Sequence, residues 1–72
     1  LVRVHSFASV RNSILFEGVD IGRNCRIEHA IIDKGVHIPD GVEIGVNRAD
    51  DIARGLTISD EGVVAVARNV RF

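Results

Sequence analysis

Apolar residues recur along the first two thirds of the chain in a beat of five and six. Val4, Val10, Leu15, Ile21, Ile27, Ile32, Ile38 and Ile44 are separated by steps of 6, 5, 6, 6, 5, 6 and 6. Three consecutive steps span seventeen residues, so Val4, Ile21 and Ile38 form one column and Val10, Ile27 and Ile44 another. A second series, Ala8, Ile14, Val19, Cys25, Ile31, Val36 and Val42, keeps the same rhythm. An amphipathic helix would place apolar residues three and four apart, and a hairpin meander would alternate without a longer period. A six-residue unit used three times per turn predicts instead a parallel β-helix, a triangular prism with short strands on its sides and corners between them. Residues seventeen apart then lie one above another at strand spacing, about 4.8 Å.

Polar positions supply a separate reading of the same register. At the seventeen-residue offset Arg3 falls over Asp20, Arg11 over Glu28, Glu17 over Lys34, Arg23 over Asp40 and Arg26 over Glu43. Opposite charges facing each other across neighbouring strands favour that alignment by about 0.2–1 kcal/mol each, less in solvent. Gly18 and Gly35 also share a column, as a tight corner with positive φ requires.

After Ile44 the beat lapses, because Arg48 falls in the column of Ile31. The expected organisation is therefore about 2.5 coils over residues 1–46 and a C-terminal cap over residues 47–72. Asp50–Arg54 reads as a short turn of helix closed by Gly55, Ser59–Gly62 as a turn, and 63–67 as a buried strand. Ile52, Leu56 and Ile58 are the candidate plugs for the open end of the prism.

Composition narrows the functional classes. A 72-residue chain makes one small domain, and a stack this short needs neighbours at its ends. It starts at Leu1, contains no Met and is in phase by Val4, so it is expected to be one piece of a longer polypeptide. The net charge of −1, with both signs interspersed, leaves no basic stripe for nucleic acid. No apolar run approaches a membrane span, and a cytoplasmic setting is expected. Cys25, the one cysteine, sits within the apolar series and reads as a small core residue rather than a nucleophile. His5, His29 and His37 differ in phase, so they are expected as separate surface residues and not as a zinc site.

Several runs together resemble the C-terminal region of the bacterial ADP-glucose pyrophosphorylases (glucose-1-phosphate adenylyltransferases). They are Ile21-Gly22-Arg23-Asn24-Cys25-Arg26-Ile27, the stretch Ile32-Asp33-Lys34-Gly35-Val36-His37-Ile38-Pro39-Asp40-Gly41-Val42-Glu43-Ile44-Gly45, and the closing Ser59-Asp60-Glu61-Gly62-Val63-Val64-Ala65-Val66-Ala67-Arg68. The resemblance implies an all-β, left-handed parallel β-helix. It also implies a parent enzyme that converts ATP and glucose 1-phosphate to ADP-glucose and pyrophosphate for glycogen biosynthesis. Catalysis and its Mg2+ would belong to an N-terminal domain, for nothing here matches a phosphate loop or a strand-end carboxylate pair. The segment would then be non-catalytic, with no cofactor of its own. Its roles would be packing on the catalytic domain, assembly of a homotetramer and binding of a sugar-phosphate or nucleotide effector. The positions that match the family's effector cations are Lys34, where Arg is frequent, Arg68 and Arg71. Two other readings stay open: a hexapeptide acyltransferase with a histidine base on a projecting loop, and a purely structural oligomerisation module.

Overall fold

The computed structural model describes residues 1–70 and 72, and its strands stack into three parallel sheets. One sheet is β1 (Arg3–Val4), β4 (Asp20–Ile21) and β7 (His37–Ile38). The second is β2 (Ser9–Arg11), β5 (Arg26–Glu28) and β8 (Glu43–Ile44). Registers of Val4 with Ile21, Ile21 with Ile38, Val10 with Ile27 and Ile27 with Ile44 reproduce the seventeen-residue columns. Ile21, Ile27, Ile32, Ile38 and Ile44 are all fully buried. Each such side chain contributes about 1.5–3 kcal/mol relative to exposure.

The third sheet joins β3 (Ile14–Leu15), β6 (Ala30–Ile32), β10 (Val64–Val66) and β9 (Thr57–Ile58), in that order. Val64, Ala65 and Val66 pair in parallel with Ala30, Ile31 and Ile32, an offset of thirty-four, or two periods. The prism thus gains a third strand on this side after a detour through residues 47–63, where the lapse after Ile44 suggests an end. Antiparallel β9 then covers the outer edge of β10, where unpaired backbone would otherwise be exposed.

Two members of the second apolar series do not face the core. Ile14 is 55% exposed and Ile31 37%, while Ala30 is buried and Ser13 half-buried in their stead. Strand alternation explains the exchange: with Leu15 and Ile32 inward, the next inward positions are two residues back. The Ser13 hydroxyl then accepts the Ala30 amide proton at 3.1 Å, linking the two rungs.

Corners are built from stacked left-handed residues. Phe7, Asn24 and Gly41 make one column, Asn12 and His29 a second, and Gly18 and Gly35 a third, all at positive φ. Asn tolerates this region through its short polar side chain. Phe7 and His29 do not advertise it, and only the glycine column was expected.

The detour contains α1 (Arg48–Ala53), which starts two residues before the expected helical turn. The Asn47 side chain accepts the Asp50 amide at its start. At its end the Gly55 amide donates to Ile52 O and the Leu56 amide to Asp51 O, the paired bonds of a Schellman cap around Gly55 at φ +81°. Leu56 is buried and Ile58 half-buried beneath this segment. Ile52 is 61% exposed and plugs nothing, since the cap turns its side of the helix to solvent.

Of the five opposite-charge pairs, one closes among the described residues: Arg26 Nη1 to Glu43 Oε2 at 3.9 Å. Nearer partners take the other groups. Arg26 also meets Glu28 along its own strand at 3.1 Å, and Asp40 accepts the Arg23 backbone amide at 2.8 Å. Asp20 lies 2.7 Å from His5 Nε2 and 3.5 Å from His37 Nδ1. These exposed contacts contribute about 0–1 kcal/mol each.

Candidate functional site

The third sheet ends in a corner that carries two of the candidate cations, Lys34 and Arg68. Lys34 follows β6 and Arg68 follows β10; continuing the register of Val66 with Ile32 by two residues sets Arg68 beside Lys34, one rung away. The two strands thus bring together residues that are thirty-four apart in the chain. Both side chains are exposed. Arg71 lies outside the described residues.

Asp33 organises this corner and was not among the expected site residues. Its Oδ1 accepts the Lys34 backbone amide at 2.7 Å, and its Oδ2 lies 3.7 Å from Arg68 Nε. Its own amide donates to Val66 O at 3.0 Å, which ties the corner to β10. The sequence signal was its place in Ile-Asp-Lys-Gly, where a carboxylate ahead of a left-handed Gly35 can fold back on the next amide. Glu17 lies one rung from Lys34, its carbonyl accepting the Gly35 amide at 3.0 Å, so the corner holds two cations and two carboxylates. Arg68 is 71% exposed at its side chain, so its pairing with Asp33 is weak enough for an anion of higher charge to compete.

Beside the cations runs a groove of about 270 Å³ lined by Phe16, Ile31, Asp33, Ala65, Val66 and Ala67. Ile14, Ile31 and Ala65 stack in register along its sheet face, and Phe16 is 44% exposed at its edge. Apolar side chains aligned outward on three successive rungs, with cations at their end, form a surface that can take both a packed element and an anion.

The remaining candidates settle elsewhere. Cys25 is fully buried, and its thiol donates to Pro39 O at 3.0 Å, as befits a core residue. His5 and His37 both meet Asp20, whereas His29 sits at its left-handed corner, exposed. Among the described residues, no group of three or more His, Cys, Asp or Glu could hold a metal ion. Among them, too, no helix is long and apolar enough to cross a membrane.

Known proteins match this chain along nearly all of it. The family described as GlmU-like, C-terminal hexapeptide, matches residues 1–66. The chain is 54% identical over 71 residues to a glucose-1-phosphate adenylyltransferase of Trichlorobacter lovleyi, covering 99% of this chain and 17% of that protein. It is 56% identical over 66 residues to that of Rhodopirellula baltica, covering 92% and 15%. For Geobacter metallireducens the figures are 48% over 67 residues, 93% and 16%. The chain therefore spans only 15–17% of the length of these relatives. With its six-residue beat, its three parallel sheets and that match, the chain belongs to the GlmU-like C-terminal hexapeptide family and has the left-handed parallel β-helix fold.

Proposed function

We propose that this chain is the C-terminal β-helix of a glucose-1-phosphate adenylyltransferase, serving inter-domain packing, tetramer assembly and effector binding rather than catalysis. The parent would transfer the adenylyl group of ATP to glucose 1-phosphate and release pyrophosphate. The observation that carries this reading is that Asp33 holds the Lys34 amide and lies 3.7 Å from Arg68, so that both cations border one exposed corner, in a chain whose relatives bear that enzyme's name over 92–99% of its length. Phosphorylated effectors need charge-assisted donors, which the corner offers; Lys34 supplies a point charge where an Arg would supply a bidentate fork. The outward stripe of Ile14, Ile31 and Ala65 supports a role in packing against the catalytic domain. Mg2+ would act in that domain, for this corner sets its carboxylates beside two cations and does not fit a divalent metal.

Lys34→Ala in the full enzyme is expected to raise the concentration of a phosphorylated activator needed for half-maximal effect by about tenfold, the worth of a hydrogen bond to a charged group. Turnover without activator should stay close to that of the unaltered enzyme. Unchanged activation would remove Lys34 from the site and favour the structural module, in which Arg68 serves only to pair with Asp33. The purified 72-residue chain, assayed with ATP and glucose 1-phosphate, is expected to release no pyrophosphate above background; turnover would contradict the division of labour. An acyltransferase is disfavoured because the one long detour between β8 and β10, residues 45–63, contains no histidine.

A further inference from the structure

Asp51 is the buried charged residue among the described ones, 1% exposed on the inner side of α1. Its Oδ2 accepts the Gly45 amide at 3.0 Å, which fastens the helix to the last turn of the third coil. Its Oδ1 is buried without any hydrogen-bond partner. A neutral carboxyl tolerates such a position far better than a carboxylate, because burying an unpaired charge is expensive. Asp51 itself helps line a pocket of about 110 Å³ together with Gly45, Val46, Arg48, Ile58 and Val64, room for water to hydrate Oδ1 once the helix shifts.

We propose that residues 47–63 form a proton-controlled latch. With Asp51 neutral the helix stays seated on the third coil; with Asp51 ionised the segment lifts far enough to hydrate the carboxylate. The charged groups around it pull in both directions. Arg54, which caps the helix, favours the carboxylate; Asp50, in its first turn, opposes it, and Arg48 lines the same pocket. Arg54 is already engaged, its Nη1 donating to Glu43 O at 3.0 Å. The coil offers only the Gly45 amide, and β9 and β10 present Ile58 and Val64. Desolvation outweighs the Gly45 amide and Arg54 and pushes the Asp51 carboxyl above its ordinary value of 3.8. The seated form therefore binds the extra proton. Seating is strongest in acid and weakens as pH climbs from that ordinary value through the raised one, then stays at its weaker level.

The test is amide hydrogen exchange across residues 45–63 of the full protein, corrected for intrinsic exchange, between about pH 3 and 7.5, a window that starts below the ordinary carboxyl value. Protection should fall roughly tenfold for each pH unit by which the midpoint of the seated carboxyl exceeds that of the free one, because the proton then binds the seated form that much more tightly. Asp51→Asn should abolish that slope, and Asp50→Asn, at the exposed neighbour, should keep it. Should Asp51→Asn fail to fold, carbon-13 titration of the Asp51 carboxyl in the unaltered protein decides: a midpoint above 3.8 that coincides with the loss of amide protection over 45–63 sustains the latch. A flat wild-type profile, an equal slope in Asp51→Asn, or a carboxyl midpoint at or below the ordinary value would overturn it.

Discussion

Gly45→Ala is expected to unfold most of this chain. Gly45 ends the third coil at φ +78°, and an added Cβ would lie 1.8 Å from the carbonyl oxygen of Glu28 and 2.8 Å from its carbonyl carbon. That oxygen belongs to β5, in the middle of its sheet, so it cannot yield as a flexible side chain would. Moving Gly45 away instead would break its hydrogen bond to Asp51 and unseat the helix. The left-handed conformation adds about 1–2 kcal/mol for a residue with a Cβ. The total should be on the order of 4 kcal/mol or more, against about 4–11 kcal/mol available to a domain of this length. Gly35→Ala is the control: φ is +69°, yet an added Cβ meets nothing within 4 Å. It should lose only the conformational part. Urea denaturation of both variants checks this, and equal midpoints would refute the steric argument.

The contrast between these two glycines marks how much of the fold is legible in the chain alone. Gly18 and Gly35 declare their corner because they share a column, and column membership is a property of the sequence. Gly45 has Gly62 at the same offset, but Gly62 belongs to the detour and not to a coil; the need for a missing Cβ at Gly45 arises from Glu28, against which folding packs it. The inward ladder is legible because stacked coils must repeat their core residue at the same place. It misleads at Ile14 and Ile31 because each precedes an inward-facing residue on its strand, and hydrophobicity alone picks the larger neighbour over Ser13 and Ala30. The return of β10 to phase is present in the sequence but at twice the period, hidden by a detour of one period's length. Testing the thirty-four-residue offset would have put Arg68 beside Lys34 and Val66 beside Ile32 at once. Asp51 offers no sign, since an acidic residue beside another at a helix start ordinarily faces water.

Ile32→Ala should be nearly as damaging as Gly45→Ala, and its neighbour shows why the inward-outward assignment matters. Ile32 is fully buried on the middle rung, in register with Leu15 on one side and Val66 on the other. Truncation leaves a cavity that neither rung can close, because the strands are held at fixed spacing by bonds such as Phe16 N to Ile32 O and Asp33 N to Val66 O, both 3.0 Å. Core truncations of this kind cost about 2–5 kcal/mol, and a site with so little freedom to collapse belongs near the upper end. Ile31→Ala removes the same atoms one residue away, from a side chain that points outward, and should cost about 0.5 kcal/mol or less. The difference between the two midpoints in urea therefore reads the direction of each side chain in solution. Similar losses at both positions would mean that the third sheet is shifted by one residue. Such a shift would turn the stripe of Ile14, Ile31 and Ala65 inward and displace the corner that unites Lys34 with Arg68.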